Sequence, residues 1–235
     1  MKTPDAPAPR RTASRLCAAV LCCAWPAALP CLAAGRDDWQ KPDRVVQDLR
    51  LQAGVTVADV GCGTGYFTSR LAQAVTQTGK VYAVDIDEGA LSTLRKDVAQ
   101  KGLTNTEVVR SEPTDTKLAA GSVDVALLCM VLHHAAADAR QPLLLSIARS
   151  LKPGGLLFVI DLRKARDPQI LALDRYEDLI PREDTLQMVT GAGLTLDAEF
   201  LYLPYQYFLR FRKPENWQAG TPEVRPAIPP LPKRD

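Results

Sequence analysis

The sequence predicts an α/β protein built on a doubly wound, mainly parallel sheet. Three observations carry this. The apolar run Val57-Ala58-Asp59-Val60 ends in Gly61-Cys62-Gly63-Thr64-Gly65, and a helix-compatible segment, Tyr66 to Ala74, follows directly. A second apolar run, Lys80-Val81-Tyr82-Ala83-Val84-Asp85, ends in an acid twenty positions after Gly65. Strand-like and helix-like segments then keep alternating to about residue 193, the order of strand–helix–strand units whose parallel strands need a crossover.

Taken in order, Gly35 to Asp43 is polar and irregular and contains Trp39 and Pro42. Arg44 to Leu51 spaces Val45, Val46, Leu49 and Leu51 for a short amphipathic helix. The first strand is Thr56–Asp59. In the loop after it, glycines let the backbone turn sharply and approach a ligand where a Cβ would clash. The loop amides and the next helix N-terminus present N–H donors to that ligand. Gly79 turns the chain into the second strand, Lys80–Asp85. A helix from about Glu88 to Lys101 places Leu91, Leu94 and Val98 on one face, and Gly102 ends it. The third strand is Glu107–Arg110, followed by the loop Ser111-Glu112-Pro113-Thr114-Asp115. The fourth strand, Val123–Met130, runs into Val131-Leu132-His133-His134. A helix over Ala139–Leu151 and the turn Lys152-Pro153-Gly154-Gly155 lead to the fifth strand, Leu156–Asp161. Residues 163–178 are charged and partly helical. Pro181 opens a further helix, since proline fits the first helical turn, and Gly191 to Gly193 end it. Thr195–Leu203 and Tyr205–Arg212 read as two strands about Pro204.

Length and composition bound the rest. The chain has 235 residues, 46% hydrophobic and 24% charged, enough for one medium domain with a real core. Four bases and one acid of its 29 basic and 27 acidic residues fall in the first 34 positions. The remainder is therefore near neutral, which disfavours nucleic acid as an electrostatic partner. Residues 1–34 have the layout of a secretory signal peptide: bases through Arg15, an apolar stretch from Leu16 to Leu29, and small residues at Cys31-Leu32-Ala33-Ala34. The apolar stretch is too short for a stable membrane span. The expected destination is the periplasm or the exterior, or the cytoplasm if the segment is not a true signal. Residues 35–212 form the domain, and 213–235 read as a Pro-rich tail with little to bury. Of the six cysteines only Cys62 and Cys129 lie beyond the leader. No disulfide framework and no metal-ligand cluster is legible.

The string Asp59-Val60-Gly61-Cys62-Gly63-Thr64-Gly65 resembles the first motif of the class I S-adenosylmethionine (SAM) methyltransferases. Val84-Asp85-Ile86-Asp87 resembles their ribose-binding strand end, and Leu151-Lys152-Pro153-Gly154-Gly155 their turn before strand five. The resemblance covers roughly residues 39–212. It implies a Rossmann-like, mainly parallel seven-stranded sheet with a closing antiparallel strand, and SAM as cofactor. In such proteins Asp59, Gly61, Gly63 and Gly65 would shape the methionine pocket. Asp85 would bind the ribose hydroxyls, Ile86 would pack on adenine, Glu112 would accept from the adenine amine, and Met130 would line the pocket. An N-terminal segment such as Asp38–Pro42 would close over the cofactor, or Trp39 would simply pack at the core edge.

Methyl transfer is an in-line displacement, so positioning supplies much of the rate. Oxygen and nitrogen acceptors usually need a base. The two histidines of the chain, His133 and His134, follow strand four, beside the expected methyl group. They are the catalytic candidates, with a packing or loop-capping role as the alternative. Met130 stands where relatives often have a polar residue and cannot be a base. Tyr176, Tyr202, Tyr205 and Tyr207 are possible acceptor-site aromatics, and Asp161 either faces the site or caps a turn. The expected activity is methyl transfer to a small-molecule acceptor. The rival readings are an exported SAM-binding protein without catalysis, and a nicotinamide oxidoreductase, whose glycine spacing this loop lacks.

Overall fold

A computed structural model describes residues 35–218. The element order is α1 Arg36–Gln40, α2 Pro42–Asp48, β1 Thr56–Val60, α3 Thr68–Val75, β2 Lys80–Asp85, α4 Glu88–Gln100, β3 Thr106–Arg110, β4 Val123–Cys129, α5 Ala137–Ser150, β5 Leu151–Leu162, α6 Pro168–Leu171, α7 Arg182–Gly191, β6 Thr195–Phe200 and β7 Gln206–Arg212. One seven-stranded sheet runs β3-β2-β1-β4-β5-β7-β6. The pairs β1–β2, β1–β4, β2–β3 and β4–β5 are parallel. β7 is antiparallel to both β5 and β6. This is the seven-stranded, Rossmann-like α/β sheet with its closing antiparallel strand, as expected.

Alternation along the strands builds two cores, because successive side chains leave opposite faces of a sheet. Ala58, Val60, Ala126 and Leu128 pack on one face against Leu143, Leu144 and Ile147 of α5 and Leu186 and Val189 of α7. Val57, Val81, Leu127 and Phe158 pack on the other face against Val45 of α2 and Leu71 and Val75 of α3. α4 adds Leu91 and Leu94 over Ala83 and Cys62. Burial on both faces explains why β1 and β4 read as nearly continuous apolar runs. It also puts the carboxyl ends of β1, β2, β4 and β5 at one edge, where order reverses between β1 and β4.

Three elements depart from the expectations. Residues 36–40, expected irregular, form α1; a single turn is too short to show periodicity, and tertiary contacts hold it. The turn at 152–155 lies inside β5, as a bulge. Val123 pairs with Leu151 and Val125 with Leu156, so the residues between loop out, with Gly154 at φ +72°. The start of the expected tail is docked. Lys213 is buried and its Nζ donates to Leu151 O at 2.5 Å, and Trp217 Nε1 donates to Ala192 O at 2.9 Å. The leader-like residues 1–34 and residues 219–235 lie outside the described residues. No helix among the described residues is long and apolar enough to cross a membrane.

Candidate functional site

The carboxyl edge opens into a cleft of about 410 Å³, within the range of small-ligand sites. Asp59, Gly61, Cys62, Gly63, Thr64, Tyr66 and Phe67 come from β1 and its loop, Cys129, Met130 and His134 from the end of β4, Arg36 and Trp39 from α1, and Leu173 from the segment after α6. Strand and loop carry the first group there because Gly61, Gly63 and Gly65 all take positive φ, which an L-residue adopts only with strain.

The glycines differ in what they permit. A Cβ on Gly61 would stand 2.2 Å from Val131 Cγ2, and one on Gly65 2.4 Å from Leu94 Cδ1. Both therefore serve close packing, Gly61 against the β4 loop and Gly65 against α4. A Cβ on Gly63 would meet nothing within 4 Å, so this is the glycine that leaves open space at the cleft. Gly65 is buried and does not line it.

Asp59 is 3% exposed and accepts a 2.7 Å hydrogen bond from Thr68 Oγ1 at the start of α3. Burial raises its pKa to about 6; the Thr68 bond opposes this, the Asp85 charge adds to it, and Arg36 partly offsets it. Asp85 stands one hydrogen bond beyond the lining. Its Oδ2 accepts from Gly63 N at 2.7 Å and its Oδ1 from Asp87 N at 2.9 Å. A carboxylate has about four acceptor sites, so hydroxyls can still be bound there. Ile86 is 50% exposed, an apolar surface free to take an aromatic ring. Glu112 points elsewhere, with its carboxylate 2.8 Å from Lys117 Nζ. Met130 lines the cleft at φ +60°, and its sulfur accepts from Gln206 Nε2 at 3.0 Å.

The histidines part company. His134 is exposed and lines the cleft. The His133 ring is fully buried between two carboxylates. Its Nδ1 is hydrogen-bonded to Asp161 Oδ1, and its Nε2 lies 2.9 Å from Asp174 Oδ2, too poorly aligned for a hydrogen bond. Burial disfavours the imidazolium, but Asp161 first and then Asp174 outweigh this and hold the pKa above the ordinary histidine value. Asp161 is thus neither a cleft wall nor a simple cap; it also accepts from the backbone amides of His133 and Leu162. None of the four tyrosine candidates lines the cleft. Tyr207 is buried on Thr185, Tyr202 lies under Arg44, Tyr176 under Arg166, and Tyr205 sits beside Trp39.

Two features of this edge are not legible in the sequence. Arg36 places its guanidinium 3.7 Å from the centre of the Tyr66 ring, giving the cleft a cation near Asp59. Asp174 lies in a charged segment and gains meaning only where the fold sets it on the histidines. Trp39, for which two roles stood open, is 9% exposed and lines the cleft. The burial of both cysteines pushes their thiols well above the ordinary range, so Cys62 and Cys129 are fillers rather than nucleophiles.

A cofactor with a carboxylate, an ammonium, a ribose and a flat base suits these residues. Arg36 and Asp59 offer the two charges, Gly63 the open cradle, Asp85 the hydroxyl acceptor and Ile86 the apolar platform. Comparison with known proteins agrees. Residues 57–155 match the family model described as a methyltransferase domain. The chain is 30% identical over 139 residues to the ubiquinone/menaquinone biosynthesis C-methyltransferase UbiE of Escherichia fergusonii, covering 58% of this chain and 55% of that protein. It is 28% identical over 123 residues to a demethylmenaquinone methyltransferase of Geobacillus stearothermophilus, covering 52% and 51%. The chain thus spans about half the length of these relatives. A SAM-dependent methyltransferase of Aquifex aeolicus superposes with a TM-score of 0.69 at 25% identity, covering 75% of this chain and 92% of that one. A possible exported protein of Bordetella parapertussis shares the fold at a TM-score of 0.62 and 23% identity, covering 79% and 70%. Motif, cleft and relatives converge: residues 57–155 form a methyltransferase domain, the fold is that of a SAM-dependent methyltransferase, and S-adenosylmethionine is the cofactor these findings imply.

Proposed function

We propose that the protein transfers a methyl group to a small acceptor bearing an ionisable ring hydroxyl or enol, of the hydroquinone type. One observation carries this reading. A single cleft joins the charged and glycine-lined cradle of β1 to a wall of Trp39, Met130, Leu173 and His134. That wall is apolar and aromatic with one titratable group, which suits a flat, weakly acidic molecule better than a polar one. The names of the matched relatives, which methylate quinone precursors, support the same class.

S-adenosylmethionine supplies an electrophilic methyl on a sulfonium: as an acceptor carbon or oxygen bonds to it, the C–S pair returns to sulfur and the acceptor loses one proton. The protein's own part is positional and electrostatic. Arg36 would hold the cofactor carboxylate, with Asp59 beside the ammonium and Asp85 on the ribose. Trp39 and Leu173 exclude water from the methyl path, and His134 is the group placed to take the acceptor's proton. His133 is enclosed, with its Nδ1 held by Asp161 and its Nε2 turned to Asp174, and positions the loop instead.

The test is calorimetry of S-adenosylhomocysteine binding to the full chain, followed by turnover of SAM with hydroquinone-type acceptors. Micromolar binding lost in Asp85→Ala, with turnover reduced at least tenfold in His134→Ala, supports the proposal. Binding without turnover on any acceptor favours the second reading, a binding protein without catalysis, which the enclosure of His133 supports. Export is likewise proposed, on the composition of residues 1–34; cell fractionation with N-terminal sequencing of the mature protein decides it.

A further inference from the structure

We infer that His133, His134 and Asp174 form a site for a divalent transition-metal ion of the zinc class, at the acceptor end of the cleft. His133 and His134 are neighbours in the loop after β4, and Asp174 comes from the segment after α6, which no local spacing connects to them. One ring nitrogen of His133, one of His134 and a carboxylate oxygen of Asp174 all lie within 4.8 Å of one another. Asp174 Oδ2 is 2.9 Å from the first and 3.6 Å from the second. Tetrahedral bonds of about 2.0–2.1 Å set ligand atoms about 3.3 Å apart, so small side-chain movements complete the geometry.

A second observation points to a ligand independently. The His133 ring is fully buried, yet its Nε2 makes no hydrogen bond and is directed at Asp174. Buried polar atoms are rarely left so. Its other nitrogen, Nδ1, is held by Asp161. That carboxylate–imidazole pair is the outer-shell arrangement that fixes a metal-binding histidine with its lone pair on Nε2 and raises its basicity. Asp161 is itself fixed by the amides of His133 and Leu162. Two imidazoles and one carboxylate suit zinc, iron, cobalt or nickel better than magnesium or calcium.

Three protein ligands leave a coordination position open, and His134 lines the cleft, so that position faces the acceptor side. With the ion bound, His134 is a ligand and no longer the base, and the ion takes over its part: an acceptor hydroxyl bound there loses its proton to solvent more readily. The resulting oxyanion, or the ring carbon it activates, supplies the electron pair for the new bond to methyl. This last step rests on the methyltransferase reading; the ion site itself does not.

The test uses the full chain, stripped of metal, titrated with Co²⁺ by visible absorption and with Zn²⁺ in competition, alongside S-adenosylhomocysteine calorimetry. The expected result is one ion per chain with micromolar or tighter affinity and a visible cobalt spectrum. His134→Gln and Asp174→Asn should each weaken the ion at least tenfold, and Asp174→Asn should leave S-adenosylhomocysteine affinity within twofold. Absence of stoichiometric binding by protein that still binds S-adenosylhomocysteine overturns the inference, as does unchanged binding in both variants. Ion binding without S-adenosylhomocysteine binding would instead overturn the cofactor assignment and leave the ion site standing.

Discussion

Single residues in the β1 loop divide between packing and reception. Gly61 and Gly63 both have positive φ, but only Gly61 is crowded by Val131. A left-handed L-residue costs about 1–2 kcal/mol and overpacking about 1–3 kcal/mol. Gly61→Ala should therefore lose about 2–4 kcal/mol in urea denaturation. Gly63→Ala should lose about 1–2 kcal/mol, and its larger effect should be on S-adenosylhomocysteine affinity. Equal stability losses in the two variants would refute this division. Asp59 carries a different cost. Its carboxyl has a folded pKa of about 6 against a usual 3.8, so the fold disfavours the ionised form. The sign is the reverse of a salt-bridged carboxylate: stability is greatest below 3.8 and is lost as pH rises through 6. At about 1.4 kcal/mol per pH unit between those values, the loss amounts to about 3 kcal/mol. Asp59→Asn should raise ligand-free stability at pH 8 by up to about 3 kcal/mol, flatten that part of the urea-midpoint profile, and weaken the cofactor. A variant no more stable than wild type at pH 8, despite intact folding, would show that the buried charge is better solvated than its surroundings suggest.

At the scale of elements, two short segments owe their place to partners rather than to propensity. α1 is one turn, and isolated helices of that length do not persist in water. Arg70 of α3 ties it down, reaching Asp37 at 2.9 Å and Asp43 of α2 at 3.0 Å, while Tyr66 donates to Asp37 at 2.6 Å. Gln40 anchors the inner side through Gln206 and Cys129. These surface ion pairs are weak individually, so the hold on the outer side of α1 is slight. Arg70→Ala should speed proteolysis within residues 35–48 in the ligand-free protein, and S-adenosylhomocysteine should restore much of the protection. Resistance equal to wild type without ligand would place the hold on α1 in Gln40 instead. The docked segment 213–218 follows similar logic. Trp217 is half-buried against the β5–α7 core and bonded to Ala192. Trp217→Ala should cost about 2 kcal/mol, below the range for fully buried tryptophan, read as a lowered urea midpoint with cofactor affinity preserved.

For the molecule as a whole, the cleft gathers residues from four separate stretches: α1, the end of β1, the end of β4, and the segment after α6. Cofactor binding is therefore coupled to the stability of the entire edge. A ligand that binds only the native state at a hundredfold excess over Kd adds about 2.7 kcal/mol. S-adenosylhomocysteine should raise the melting temperature of wild type accordingly, and Asp85→Ala should abolish the shift. A shift retained in Asp85→Ala would remove that carboxylate from the cofactor site. The frame of this edge was legible in the chain because its signals are local. Strand runs, glycine positions and the β2-terminal acid need only a few neighbours to be read. The partner of Glu112 was not legible in this way, since an exposed loop acid pairs with whichever cation folds next to it, here Lys117.

The sequence by itself determined the alternation of strands and helices and the parallel winding of the sheet, while its resemblance to the SAM-dependent methyltransferases implied the closing antiparallel strand and the edge expected to take the cofactor. Alternation and winding follow from short-range patterns, periodic burial and backbone freedom, that leave few alternative arrangements. Only the tertiary structure decided what faces the cleft from afar. It brought Arg36 and Trp39 over Asp59, made the turn at 152–155 a bulge within β5, and buried Lys213 and Trp217. It also separated two adjacent histidines into an enclosed ring held by Asp161 and an exposed one at the cleft, with Asp174 bridging them. Such placements depend on contacts between residues far apart in the chain, 28 positions for His133 and Asp161, and their energies come from burial and paired charge, which no local pattern encodes.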